Sequence, residues 1–315
     1  MWHVPRLQLR AAAAAAAAAA SASHRAGLSI GGRRCQATFS KASFLEHQHL
    51  IGDNSTGLTS YEAAEDVQEE HRARFLTWKG LPEKSRTEDD CPRPQLISFE
   101  STPTFTLGRR QDDLIPEQKF HLEQPLDVHL LQRPQPIEGL FYPQVKKTNR
   151  GGLTTYHGPG QLVLWPILDM HSSLYPKYSV SSFASHLETT TQRFLSEIFD
   201  IQTYTNRDEP GVWVQESSGP PRKIAALGVH HRRYVTALGT AINIDVSVKG
   251  LERLNPWARF VPCGLEGKLA TSVVAELGSA AQGMSFDLFE LAQRWASIFE
   301  EGLKDASKRG ADLGR

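Results

Sequence analysis

Cys263 stands in FVPCGL (260–265), with Pro262 rigidifying the approach to it and Gly264 leaving space beyond. A thiol in that setting is a nucleophile if something lowers its pKa from about 8.5, because only a few per cent is thiolate at neutral pH. Two residues elsewhere have the chemistry to assist it, His157 and Lys223. Lys223 opens the apolar run KIAALGV (223–229). A lysine at the start of such a run either snorkels to solvent or, partly desolvated, serves as a general base. By residue type alone the plainer alternatives are commoner: a small buried thiol for Cys263 and a solvated ammonium for Lys223.

The third chemical feature is RGGLTTYHGPGQLVLWPILDM (150–170), where Gly151, Gly152, Gly158, Gly160 and Pro159 surround His157 ahead of an apolar run. Glycine loses the most conformational entropy on folding, so a cluster marks unusual backbone angles or close approach of a ligand. Known phosphate cradles do not fit. A P-loop needs two glycines flanking four residues and then Lys-Ser/Thr, and a dinucleotide fingerprint opens a helix after a strand, whereas these glycines precede a strand. What remains is a backbone lying against something apolar or flat, with Arg150 and His157 at its edges, or a tight turn with a structural histidine. No metal site is indicated. His230 and His231 are adjacent and point to opposite faces of a strand, no HExxH occurs, and nothing clusters with Cys263 at a ligand spacing.

The chain has 315 residues with 35 basic and 35 acidic side chains, yet the charge is unevenly placed. Residues 1–45 hold six basic residues and no acid, leaving 29 basic against 35 acidic in the rest. The first segment, with ten consecutive alanines, several arginines and serines, is composed like a mitochondrial transit peptide. A secretory signal is the rival, and a low-complexity tail the bland alternative. The acidic body is not that of a nucleic-acid binder, and no apolar stretch suits a bilayer span. Three cysteines, Cys35, Cys91 and Cys263, make no CxxC and no even disulfide framework. The expected organisation is a leader over 1–45, one catalytic domain over 46–303 and a frayed tail over 304–315.

Periodicity supplies the elements that must hold the chemistry. Tyr61, Ala64, Val67, His71, Phe75 and Trp78 recur at helical spacing behind a Thr59–Glu62 capping box, with Gly80 and Pro82 as the stop. QLISFE and TFTLG have strand character, and 111–149, with five prolines, reads as a long surface excursion or insertion. LVLWPIL is a strand, a helix follows from Val180 to Ile198, then GVWVQ, KIAALGV and YVTALGTAINIDV as strands, and a last helix from about Ser285. Helices and strands mix without regular alternation, so the expected class is α+β with mixed sheets and flanking helices.

In order along the chain, TPTFTLGRR (102–110), RGGLTTYHGPGQLVLWPILD (150–169), PGVWV (210–214), KIAALGV (223–229) and PCGL with TSV (262–273) resemble the octanoyltransferase family of lipoate biosynthesis. The resemblance covers about Tyr61 to Phe299. It implies a catalytic fold like that of biotin and lipoate ligases. It also implies transfer of an octanoyl group from octanoyl-acyl carrier protein to a lysine of a lipoyl domain, as in 2-oxoacid dehydrogenase E2 subunits and the glycine cleavage H protein, in the mitochondrial matrix. Cys263 would carry the acyl group and Lys223 the protons. Arg150, Gly151, Gly152, Tyr156, His157, Gly158, Gly160, Gln161, Ala225, Leu227, Gly228, Gly239 and Ala241 would bind substrate, and the amides near Cys263 and Gly264 would stabilise the oxyanion. Arg109, Arg110, Lys146, Lys147 and Arg150 are candidates to steer an acidic carrier. A thioester stores the energy of acyl transfer, so no cofactor, metal, nucleic acid or membrane is implied. One departure is Leu238, which stands where the family usually has a histidine. The rivals are an ATP-dependent lipoate–protein ligase and an inactive scaffold for lipoyl domains or carrier.

Overall fold

The computed structural model describes residues 24–30, 33–39, 44–215, 219–260 and 269–305. Pairing begins with a hairpin, β1 (His24–Ile30) and β2 (Arg33–Phe39), which extends β3 (Glu46–Gly52) antiparallel. Both strands fall within residues 1–45, the stretch composed like a leader.

α1 (Tyr61–Gly80) buries Tyr61, Ala64, Val67, His71 and Phe75, as the periodicity requires. Its N-cap is Ser60, whose hydroxyl accepts from Ala63 N, and not Thr59. Thr59 forms a β-bridge to Ser101, which holds it extended and moves the cap one residue along. β4 (Gln95–Phe99) and β5 (Thr104–Leu107) follow as expected.

The proline-rich excursion is built of regular elements. It folds as α2 (Pro116–Leu122), the hairpin β6 (Leu126–Leu130) and β7 (Ile137–Phe141), and β8 (Gln144–Lys147). The prolines fall between these elements or, at Pro116, in the first helical turn, where a missing N–H costs nothing. The alternation was present in LDVHL, with Leu126, Val128 and Leu130 buried.

β9 (Thr154–His157) and β10 (Gln161–Ile167) flank the glycine-rich turn, and α3 (Val180–Phe199) follows behind a Ser179 cap. The remainder is β11 (Tyr204–Thr205), β12 (Gly211–Val214), β13 (Arg222–Arg232), β14 (Val235–Asn243), β15 (Leu269–Ala270), α4 (Val273–Leu277) and α5 (Leu288–Lys304). Of the tail expected over 304–315, Lys304 closes α5 and Asp305 is its C-cap, and the part beyond residue 305 lies outside the described residues.

One large sheet has the order β1-β2-β3-β4-β10-β14-β13-β12-β11, with β15 parallel to the start of β13. β10 shows why LVLWPIL reads as a continuous apolar run: both its faces are covered. Val163, Trp165 and Ile167 pack under α1 with Phe75 and Phe99, while Leu162 and Leu164 face the α3–α5 side with Phe183, Phe194 and Trp295. A smaller sheet, β8-β5-β9, and the β6–β7 hairpin sit at one end over a third core around Phe105, Leu126 and Tyr156. Mixed sheets with flanking helices make the chain α+β, as expected.

Near α5, two histidines are buried on β3. His47 Nε2 and His49 Nδ1 each lie 2.7 Å from Ser98 Oγ. Burial pushes the His47 pKa down to about 3 and that of His49 to about 4, against about 6.5 in an unfolded chain. Below pH 6.5 the unfolded state therefore takes up protons that the native state refuses, and native stability falls with pH until about 4 for His49 and about 3 for His47. Urea unfolding across pH 7 to 4.5 should show this decline, and a His47→Gln/His49→Gln double variant should show a shallower one. Equal slopes in the two proteins would remove the histidines as its source.

Candidate functional site

Between the β13–β14 surface, the end of the small sheet and the start of α1 lies a cavity of about 740 Å³, within the usual range for small-molecule sites of roughly 300–1,000 Å³. Strand alternation chooses its wall. On β9, Thr155 and His157 line it, while Tyr156 points the other way, among Phe105 and Trp257 in the third core. Trp165 and Tyr61 close the apolar end beside Leu238 and Ala241. Leu227, Gly228 and Val229 of β13 form one side, and Arg109 and Arg110 are exposed at the rim.

Lys223 is on this wall. Its ammonium donates to Pro210 O at 3.1 Å and stands 4.5 Å from the centroid of the Trp213 ring, a cation–π contact. Pro210 itself lines the cavity. Lys223 O accepts from Thr271 N at 2.9 Å, and Lys223 pairs with Ala270 of β15, another wall residue. Cys263 and Gly264 lie outside the described residues, as does the whole stretch 261–268. The described residues nearest it in sequence that face the cavity are Trp257 on one side and Ala270 on the other. Cys91, by contrast, is buried beside Ser172 with its thiol pKa pushed up by burial, which makes it a poor nucleophile.

His157 is buried, its ring 5.3 Å from that of Tyr61. Burial, with Arg150 nearby, pushes its pKa down to about 4, so the imidazole is neutral at ordinary pH. Its Nδ1 lies 2.8 Å from Gln161 Oε1. Arg150 is buried too, donating to Thr106 Oγ1 at 3.0 Å, to the Thr106 carbonyl and to Gly151 O at 3.0 Å. Its side chain lies across Gly228, where a Cβ would be 3.3 Å from Arg150 Cδ.

Of the residues expected to bind substrate, Arg150, Gly151, Gly152, His157, Leu227, Gly228, Gly239 and Ala241 line the cavity. Tyr156, Gly158, Gly160, Gln161 and Ala225 do not. The reason lies in what the glycines approach. A Cβ on Gly158 would come 2.0 Å from Tyr156 Oη, and one on Gly160, at φ +91°, 2.4 Å from Val246 N. A Cβ on Gly239, which does line the cavity, would come 2.3 Å from Leu164 O. Gly158 and Gly160 make room for other parts of the protein. Gln161 sits behind His157, and Ala225 belongs to the α3–α5 core.

The steering candidates also separate. Lys146 is paired with Glu65 (2.6 Å) and Lys147 with Asp113 (2.5 Å), and Arg150 is buried, which leaves Arg109 and Arg110 as the exposed cations on the rim. Sequence reasoning missed Tyr61, Trp165 and Trp257 as wall residues because each reads as ordinary core, and Asn243 because nothing near it in sequence marks its role. Leu238 is a wall residue in a left-handed conformation, φ +64°, which is costly for leucine. Its N–H donates to Gln68 Oε1 at 2.6 Å, a bond the sheet ladder does not provide.

Residues 83–294 match the family model described as the lipoyl protein ligase A/B catalytic domain. Among curated relatives, a probable octanoyltransferase of Schizosaccharomyces pombe is 32% identical over 216 residues, 68% of this chain and 80% of its own. A mitochondrial octanoyl-acyl-carrier-protein:protein N-octanoyltransferase of Danio rerio is 32% identical over 221 residues, 70% of this chain and 80% of its own. Among solved structures, a bipartite lipoate protein ligase of Thermoplasma acidophilum aligns with a TM-score of 0.46 at 11% identity, over 76% of this chain and 82% of that one.

Two glycine substitutions separate packing from lining. Gly151 has open space where a Cβ would go, so Gly151→Ala should change stability by no more than about 0.5 kcal/mol. Gly158→Ala must displace the Tyr156 ring and should cost about 1–3 kcal/mol. Urea denaturation of both variants decides it, and equal midpoints would contradict the assignment.

Proposed function

The chain belongs to the lipoyl protein ligase A/B catalytic domain family, and we propose that it is an acyltransferase that moves an octanoyl group from octanoyl-acyl carrier protein to a lysine of lipoyl domains through Cys263. The observation that carries this reading is Lys223 on the wall of a largely apolar cavity, in a chain whose curated relatives are octanoyltransferases. The acceptors would be the E2 subunits of 2-oxoacid dehydrogenases and the glycine cleavage H protein, in the mitochondrial matrix. The acid-free N-terminus and the mitochondrial relative support that location.

The steps balance without a nucleotide. Lys223 takes the proton of the Cys263 thiol, and the thiolate attacks the donor's thioester carbonyl. The tetrahedral intermediate collapses as the carrier's C–S bond breaks, and the carrier thiolate leaves with the proton from Lys223. The acyl group is now on Cys263. A lysine amine of the lipoyl domain then attacks it, losing a proton to Lys223, and the amide forms as the Cys263 sulfur leaves and is reprotonated. Amides near Cys263 and Gly264 would meet the oxyanion in both halves, usually a large catalytic contribution. Arg109 and Arg110 would meet the acidic carrier. The alkyl chain would lie against Tyr61, Trp165, Leu238 and Ala241.

Intact mass after incubation with octanoyl-acyl carrier protein tests the covalent step. An octanoyl increment is expected on the wild type and not on Cys263→Ser, and a lipoyl domain should discharge it. Neither adduct nor octanoylated lipoyl domain from folded protein would overturn the reading. Octanoylation from free octanoate that requires ATP would favour the ligase, and binding without turnover the scaffold.

The apolar wall gives a second expectation. Leu238→Ala lengthens the cavity at its closed end while keeping the backbone. In competition between octanoyl and decanoyl donors, the variant should shift toward decanoyl relative to the wild type. An unchanged ratio would place the acyl chain elsewhere.

A further inference from the structure

The hydrogen bonds behind His157 determine which ring nitrogen carries its proton. They start at a backbone carbonyl, Thr271 O, which can only accept. Asn243 Nδ2 donates to it at 2.8 Å, so the amide oxygen of Asn243 faces the other way. That oxygen accepts from Gln161 Nε2 at 2.9 Å, and Gln161 Nε2 also faces the carbonyl of Tyr156 at 3.2 Å. An atom between two oxygen acceptors is the amide nitrogen, so the orientation of Gln161 follows from the backbone. Its Oε1 then faces His157 Nδ1 at 2.8 Å. An amide oxygen has no hydrogen to give, so Nδ1 donates and Nε2 keeps the lone pair.

All three side chains are buried, with Gln161 at 0% and Asn243 at 3% exposed, so bulk water does not compete for these bonds. Each link joins a different element: Thr271 follows β15, Asn243 ends β14, Gln161 begins β10 and His157 ends β9. Such buried, fully satisfied networks rigidify what they touch. Among the described residues no hydrogen bond engages His157 Nε2, nor is that atom an orphan sealed in the core, while the ring lines the cavity. The same Thr271 braces Lys223 through its own N–H.

We propose that Asn243 and Gln161 are positioning residues that hold His157 as its Nδ1–H tautomer, so that Nε2 meets the cavity contents as a hydrogen-bond acceptor for the incoming lysine amine. The identity of that donor rests on the acyl-transfer reading; the tautomer does not. The amine is the fitting donor because it arrives with N–H groups and must turn its lone pair toward the acyl carbon. An acceptor at Nε2 fixes one N–H and with it the direction of the lone pair. The opposite tautomer would present a donor there and turn the amine away.

Long-range 1H–15N correlation of the histidine rings tests the tautomer directly, with His157 assigned by the signal missing from His157→Gln. The expected wild-type pattern is neutral Nδ1–H; Nε2–H would overturn the proposal whatever the activity. In Gln161→Met the acceptor is gone. A mixed or reversed tautomer is expected, with the KM for the lipoyl domain raised about tenfold, as for one lost neutral hydrogen bond, and the rate of acylation by octanoyl-acyl carrier protein changed much less. A Gln161→Met protein with the wild-type pattern and the wild-type KM would overturn the proposal. Absence of transfer by the wild type itself would overturn the acyl-transfer reading and leave the ring spectrum to decide the tautomer.

Discussion

The carbonyl of Gly160 accepts from three successive amides, Ile244 N, Asp245 N and Val246 N, at 2.9, 3.1 and 3.2 Å, while its own N–H donates to Glu100 Oε1 at 2.6 Å. This junction ties the turn before β10 to the end of β14. Glu100 is gripped by Arg133, which also holds Asp245 through two bonds of 2.7 and 2.8 Å. Buried charges are costly unless paired, and here two carboxylates enclose one guanidinium. Arg133 comes from the loop of the β6–β7 hairpin, so the small layer is fixed to the large sheet at the point where β9 gives way to β10. The positions of His157 and Gln161, one on each side of that turn, follow from it.

The cavity is a consequence of this crossing. Arg150 reaches from Thr106 on β5 across Gly228 on β13 and joins the two sheets beside the cavity. The α1 end of that space is apolar because Tyr61 and Trp165 reach it from the core beneath the helix. The rim is charged because loops, and not strands, form it.

The main helices and, in the large sheet, β4, β10, β12, β13 and β14 could be read from pattern and composition, since each has a face or a pair of faces buried along its length. β6, β7 and β8 could not, because prolines that punctuate short strands look the same as prolines that prevent them. Of the wall residues on either side of the site, Lys223 on β13 and His157 on β9 stood out by type and context, whereas Leu227 and Gly228 on β13 stood out only through the resemblance. The glycines were legible as close approaches, but not as approaches to what: Gly158 admits a tyrosine ring and Gly160 a backbone amide. Asn243 and Gln161 carry no local signal of a shared role, being 82 residues apart and joined only by the fold.

Leu238 has a consequence for anyone seeking a sturdier enzyme. A left-handed backbone favours glycine or asparagine, so a thermostability screen that scores torsion angles would replace this leucine first. The same leucine is part of the apolar wall, and its amide is already satisfied by Gln68 from α1. Local relaxation at this position would be obtained by surrendering part of that wall. Backbone ease and the shape of the cavity are opposed at this one residue, and hardening the scaffold is better begun elsewhere.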